Sequence, residues 1–211
     1  MVAPTEVTQL LPLAVSASPN TVCLYFVASP LQYLAARRIA DEFESGAKQV
    51  LIYYKAGVAP IVRAKDWDTV WYMPWPRFHP MPGLFGSHRR LLENLRRVGD
   101  LAGKCDTLRV HSAVYDTEVI NYFLNGLPPL TGCQSLQARI LPDGLISIRR
   151  YPLTPIKSAL QQLRKLRQLI SPELNYWSFS GDRIGSDAPF VDRQAVGNAL
   201  VGSAGHRARH R

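Results

Sequence analysis

The chain alternates between short, almost wholly apolar runs and longer runs in which apolar residues recur every three or four positions. The first apolar run, TVCLYFVAS (21–29), is rich in β-branched and aromatic residues and shows no polar alternation. A strand buried on both faces has this character. It stops at Ser29-Pro30, and beyond it Leu31, Ala35, Ile39 and Phe43, with Leu34 beside them, mark one face of a helix. Ser29 suits the N-cap, Pro30 the first turn, and Gly46 closes the end. QVLIYYK (49–55) predicts a second strand, so the opening unit is βαβ with parallel strands and a right-handed crossover. DTVWYMP (68–74) predicts a third strand, followed by a loop rich in proline and aromatics, WPRFHPMPGLFG. SHRRLLENLRRVGDLAGK (87–104) predicts a helix with Leu91, Leu95, Val98 and Ala102 on one face and Gly103 near its end. TLRVHSAV (107–114) reads as a strand, DTEVINYFLNG (116–126) as a short helix and QARILPDG (137–144) as another strand. Thr154 and Pro155 then open a helix over IKSALQQLRKLRQLI, stopped by Ser171-Pro172. Its apolar positions 156, 160, 163, 166 and 170 form one stripe, with Lys157, Arg164, Lys165 and Arg167 mostly outside it.

Strands alternating with helices define an α/β class: a Rossmann-like, open, mostly parallel sheet with helices on both faces. The expected organisation is a loose N-terminal extension (1–20), one Rossmann-like domain (21–190), and a disordered or aberrant tail (191–211) where periodicity has faded. An apolar content of 46% with 19% charged residues excludes a disordered protein. The longest fully apolar run, 22–28, falls far short of the roughly 20 residues that span a bilayer. A secretory signal is not expected either, because the first 20 residues contain Glu6 and no Lys or Arg and are broken by Pro12. Cys23, Cys105 and Cys133 are odd in number and without CxxC spacing, which speaks against a disulfide framework or a zinc site and for a reducing, cytoplasmic setting.

Charge narrows the partners. The formal net charge is +9, with arginine pairs at 37–38, 89–90 and 96–97 and an acid-free final stretch, GNALVGSAGHRARHR. Such a surface favours nucleotides, phosphorylated glycans, nucleic acid or anionic lipid, and equally fits ordinary solvated faces.

The motifs that carry chemistry are few. There is no GxGxxG after the first strand and no GxxxxGK[ST], which sets aside a Rossmann dehydrogenase or P-loop NTPase. VASPLQ, at the exit of the first strand, is a better lead: open α/β sheets bind ligands beyond the carboxyl ends of their strands, where Ser29 and Gln32 would lie. Capping alone also accounts for Ser29. VHSAVYDTE gathers His111, Ser112, Tyr115, Asp116 and Glu118 at another strand end, but without the GxSxG elbow of a hydrolase it reads as a polar rim of the same cleft. His79-Pro80, with Trp67, Trp71 and Trp75, fits either stacking on a sugar or base or plain loop packing. The five histidines show no metal-ligand spacing, so no metal is expected. Pro142-Asp143-Gly144 has two readings. Asp-Gly between ARIL and LISI is a strong hairpin signal. At the end of a parallel strand in a βα series, the same Asp143 is a cleft carboxylate able to take a proton from an attacking hydroxyl.

VASPLQYLAARRI and ILPDGLISI resemble two landmarks of the bacterial sialyltransferases and polysialyltransferases that build capsules and lipooligosaccharides, and YWSFSGDRIGSD resembles the approach to their second half. The resemblance covers roughly residues 20–190. It implies the N-terminal half of a GT-B fold, with a CMP-activated sialic acid (or a related sugar) as donor substrate, a glycan acceptor and no cofactor. In the family a short acid-acid-Gly motif supplies a general base, here Asp143 followed by Gly144, with Pro142 in place of the first acid. Ser29, Gln32 and Asp116 would shape the acceptor side. The family's second half, with its His-Pro and Ser/Thr motifs for the donor, has no counterpart in these 211 residues, and His79-Pro80 lies in the wrong half to replace it. The expectation is therefore an incomplete, truncated enzyme that would be cytoplasmic, with peripheral contact to anionic inner membrane. The alternative is a non-catalytic basic module binding nucleotide, glycan or RNA; no aromatic RNP motif supports nucleic acid.

Overall fold

β1 (Thr21–Val27) is the centre of the molecule because six of its seven residues are apolar, and all seven are buried. A computed structural model, which describes residues 20–143 and 154–179, places four parallel strands around it. These are β2 (Lys48–Tyr53), β3 (Thr69–Tyr72), β4 (Thr107–Ser112) and β5 (Ser135–Ile140), in the order β3-β2-β1-β4-β5. Every neighbouring pair is parallel, with Tyr25 level with Leu51 on one side and His111 on the other. The fold is the expected open, Rossmann-like α/β sheet.

Right-handed crossovers that reverse direction at β1 put helices on both faces. α1 (Pro30–Glu42) covers one, packing Ala36, Ile39 and Ala40 on Cys23, Tyr25, Val27 and Leu51. α2 (Gly86–Ala102) and α3 (Glu118–Thr131) cover the other, where Leu91, Leu95, Val98, Phe123 and Leu127 meet Leu24, Phe26, Val50 and Ile52. α4 (Pro155–Lys165), continued by a 3-10 turn at Leu166–Leu169, lies against the start of α3.

Several expectations are corrected by packing. On α1, Ser29 Oγ accepts the Gln32 amide at 3.2 Å and Pro30 opens the helix, but Leu31, Leu34 and Phe43 are exposed. The seated face is turned toward Tyr33, Ala36 and Ala40, because alanines let the helix approach the sheet more closely than the leucines would. α3 is longer than the predicted 116–126 and runs through Pro128 and Pro129 to a left-handed Gly132 (φ 71°). Gly126, the last residue of the predicted span, is internal. A Cβ there would sit 2.7 Å from Leu95 Cδ2 and 3.0 Å from the Glu173 carbonyl oxygen, so the residue is small because α2 and the 173–179 segment crowd it. Gly103 does end α2, at φ 74°. Trp67 is a packing residue, edge-on to Tyr25 at 5.2 Å, whereas Trp71 and Trp75 lean on the core and stay partly exposed.

α4 is the largest surprise. Its stripe exists as predicted, but faces outward. The side that meets the domain is polar, with Gln161 buried and donating to Asp116 Oδ1 at 3.0 Å.

Candidate functional site

In an open sheet the loops leaving the two strands that flank the reversal diverge to opposite faces, and a crevice opens at their carboxyl ends. Here those strands are β1 and β4. β1 leaves through Ala28-Ser29 into α1. Gln32 turns its side chain back into this corner, where Oε1 accepts the Ala28 amide at 2.7 Å, and the side chain is buried. Ser29 and Gln32 thus build the turn, and the expectation that the Gln32 amide lines an open cleft is corrected. This helix start is also a poor anion site. Pro30 has no amide proton, and the Gln32 and Tyr33 amides go to Ser29 Oγ and Ser29 O.

β5 ends at Ile140, and the Leu141 amide donates to the Ser112 carbonyl at 3.0 Å, which carries Pro142 and Asp143 past the carboxyl edge of the sheet. Tyr54, leaving β2 on the other side of β1, comes within electrostatic reach of Asp143. Burial, with the Asp143 carboxylate adding to it, pushes the Tyr54 phenol up to about 12. Trp75 stacks on Tyr54 at 4.6 Å with the planes 30° apart. The edge therefore carries a carboxylate, a phenol that keeps its proton at neutral pH, and an indole. This set can accept a proton, donate a hydrogen bond and offer an apolar wall. Gly144 lies outside the described residues, as does the LISI run (145–148) that would be the second strand of a hairpin.

The remaining predicted site residues have other occupations. Asp116 accepts from Gln161 Nε2 and from the Tyr176 hydroxyl (3.3 Å), and Arg164 Nη1 donates to that hydroxyl at 2.9 Å, so Asp116 anchors α4 and the 173–179 segment. Glu118 pairs with Arg167. The Tyr115 hydroxyl lies 2.6 and 2.7 Å from the Val110 and Arg139 carbonyls and bolts β4 to β5. Ser112 and His111 are buried. His79 touches Tyr72 edge-on at 6.5 Å, and its carbonyl accepts from Arg90. Two surface grooves of about 420 Å³, one along α2 between Met81 and Asp100 and one around Arg37, Gln49 and Trp67, contain none of Ser29, Gln32 and Asp143.

Sequence reasoning missed a second constellation, sealed under the α1 face of the sheet. Glu44, in the turn after α1, is fully buried and holds Arg109 with one carboxylate oxygen and Arg139 with the other. His111 lies 3.9 Å from Glu44 and stacks on Tyr25 at 4.4 Å, and among the described residues neither ring nitrogen has a hydrogen-bond partner. Burial, reinforced by Arg109, lowers the imidazole to about 3, so it is neutral. Cys23 Sγ, Glu44 and His111 approach one another within 4.8 Å, and these are zinc-type donors. Their surroundings oppose a cation, however. Both Glu44 oxygens are taken by guanidiniums, and burial pushes the Cys23 thiol up to about 11. With two positive charges to one negative, the cluster is an ion-pair pin rather than a metal seat. Its signal was readable in TLRVHS and LQARI, where arginines stand within apolar strands and on the same face of neighbours: Arg109 opposite Gln137, His111 opposite Arg139.

Fold and edge together define an open, Rossmann-like α/β domain whose candidate site lies at the β1/β4 switch point. Compared with known protein families, with curated proteins and with solved structures, the chain matches none. Among the described residues no helix is long and apolar enough to cross a membrane.

Proposed function

We propose that this domain is the acceptor side of a sialyltransferase-like glycosyltransferase of the capsule or lipooligosaccharide type. The observation that carries the reading is Asp143 just past the end of β5 at the carboxyl edge of a parallel sheet, with Tyr54, on which Trp75 stacks, within its electrostatic reach. Asp143 takes the proton of an acceptor sugar hydroxyl while the hydroxyl oxygen bonds to the anomeric carbon of a CMP-activated sialic acid. The anomeric C–O bond to the phosphate breaks, and CMP leaves with the bonding pair. Tyr54, still protonated, donates a hydrogen bond to the acceptor, and Trp75 offers a face to its ring. Ser29 and Gln32 hold the turn at the end of β1 that forms the floor. The donor would be held by a second Rossmann-like half.

Titration of the chain with lactose- and sialic acid-terminated oligosaccharides, followed by NMR, tests the acceptor side. Saturable shifts at the Trp75 indole and around Tyr54, lost in Trp75→Ala, are expected; shifts confined to other surfaces would refute the assignment. With a donor-binding half supplied, transfer from CMP-sialic acid should fall about 100-fold or more in Asp143→Asn. An unchanged rate removes Asp143 as the base.

A further inference from the structure

Two cysteines far apart in the chain come side by side at the amino ends of β4 and β5. In this parallel pair Thr107 stands level with Ser135 and Leu108 with Leu136. Two residues before the first of these levels lie Cys105 on one strand and Cys133 on the other. The backbones stay bonded down to that point. The Asp106 carbonyl accepts the Gln134 amide at 2.9 Å and the Ser135 amide at 3.1 Å, and the Cys105 amide donates to the Thr131 carbonyl at 3.3 Å. Adjacent strands run about 5 Å apart, within the roughly 4.4–6.8 Å between Cα atoms that a disulfide bridges. Both side chains also turn to the same side, onto the core shared with α2 and α3. Burial, with Cys133 and Asp106 adding to it, holds the Cys105 thiol above its ordinary value, so the two sulfurs are within electrostatic reach of each other.

Their exposures differ as a reacting pair requires. Cys105 is buried, whereas Cys133, just after the left-handed Gly132, is partly exposed. An oxidant in solution therefore meets Cys133 first and finds Cys105 behind it. Two ammonium groups stand at this end of the sheet. Lys104 Nζ donates to the Leu130 carbonyl at 3.1 Å and Lys48 Nζ to the Leu101 carbonyl at 2.8 Å, and the Lys48 charge counteracts part of the burial of Cys105. Partly exposed thiols beside cations, with a second thiol in reach, are the ones that oxidise reversibly. The third thiol, Cys23, does not compete: it is sealed beside Glu44 and His111, and burial pushes it up to about 11.

We propose that Cys105 and Cys133 are a redox-sensitive pair that a peroxide joins reversibly into a disulfide. The Cys133 thiolate attacks one oxygen of hydrogen peroxide, the O–O bond breaks, and the departing hydroxide takes up the thiol's proton as water. The Cys105 sulfur then attacks the sulfenic sulfur of Cys133. The S–S bond forms, the S–O bond breaks, and a second water leaves with the Cys105 proton. Both sulfurs are oxidised and the peroxide is reduced to two waters. A dithiol reverses the bond by exchange. In a reducing compartment such a bond is transient rather than structural, which agrees with an odd number of cysteines. While it lasts it closes the loop 105–133, which carries β4, α3 and the 113–117 turn between them. The pair lies at the opposite end of the sheet from Asp143 and does not depend on the cleft's transferring sugars.

The test treats the folded full chain with hydrogen peroxide and maps its tryptic peptides without reductant. Cleavage after Lys104, Arg109 and Arg139 separates 105–109, with Cys105, from 110–139, with Cys133. The bond is read as these two peptides joined and two hydrogen atoms lighter than their sum. The joined peptide is expected in most monomeric chains, unchanged in Cys23→Ser, absent in Cys133→Ser and lost with dithiothreitol. Before oxidation, iodoacetamide should modify Cys133 at least about tenfold faster than Cys105. Equal alkylation of the two, sulfinic acid at Cys133 with Cys105 still free, a bond to Cys23, a dimer joined through Cys133, or no oxidation each overturns the proposal.

Discussion

α2 and α4 carry the same apolar signature and use it in opposite directions. Leu91, Leu95 and Val98 recur on α2 with the spacing that Ile156, Leu160 and Leu163 show on α4. The α2 stripe is buried, and Arg89, Arg96 and Arg97 on its far side are exposed. On α4 Leu160 and Leu163 are exposed and Gln161 is buried. What differs is the surface each helix meets. α2 lands on an apolar sheet, where Phe26, Val50 and Ile52 can be satisfied only by other hydrocarbon. α4 lands at the start of α3, beside Asp116, Glu118, Tyr122 and Tyr176, whose oxygens lose more by going unpaired than a few leucines lose by staying wet. A periodic stripe thus specifies a face, and the neighbouring surface decides which way it turns.

Replacing one leucine in each stripe separates the two cases, and the α2 arm has the largest effect. Leu95 is fully buried and touches the close-set Gly126, so the site cannot collapse around a smaller side chain. Leu95→Ala should lower the unfolding free energy by about 3 kcal/mol, measured by chemical denaturation. A loss under about 1 kcal/mol would mean that the α2 seam is loosely packed.

Next comes the polar cluster within the body, which is sealed where α4's polar row sits at a rim. His111 titrates near 3 in the fold, against about 6.5 when unfolded, because burial and Arg109 disfavour its charge. The unfolded chain therefore binds the extra proton between those values. The stability tied to a neutral His111 is complete above about pH 6.5 and is lost as pH falls from there toward 3. Near pH 5 the wild type should be about 2 kcal/mol less stable than at neutral pH from this group alone. His111→Phe keeps the stack on Tyr25 and removes the titration, so its advantage over the wild type should grow by that amount between pH 7 and pH 5. A parallel pH dependence in both proteins would show that His111 is not the group responsible.

How much of this was legible depends on whether a residue's partner was local. β1 and its cap were readable because Ser29, Pro30 and seven apolar residues act within one turn or strand. The α2 face and Gly103 were readable for the same reason. The reason for a glycine at 126 was not legible because its neighbours, Leu95 and Glu173, are 31 and 47 positions away. The role of Glu44 was not legible, since its partners Arg109 and Arg139 come from strands 65 and 95 residues on. At the candidate site Asp143 was legible from its βα context, whereas Tyr54 and Trp75 were not connected to it, because only the sheet order brings the ends of β2 and β5 to one edge.

The polar seat of α4 gives the third contrast. Gln161 is 2% exposed and makes one bond to Asp116, which retains the Tyr176 hydroxyl as a second partner. Gln161→Leu should cost about 1 kcal/mol, seen as faster amide exchange across α4 with little change in the strands. If the leucine instead stabilised α4, the helix would be held by hydrocarbon after all and the inverted seating would be the weaker description.

The smallest effect is the most telling. Leu163 has the residue type and spacing of a core leucine, and on α2 the equivalent truncation is expected to cost kilocalories. Its side chain already lies mostly in water, so Leu163→Ala removes little buried area, and alanine is the better helix former. The unfolding free energy should therefore shift by no more than about 0.5 kcal/mol in either direction. A loss approaching that of Leu95→Ala would require Leu163 to be covered in the protein in solution, and would move the stripe from the surface to the core. A null result in stability would show that this leucine, spaced like a core residue, is not one the fold depends on burying.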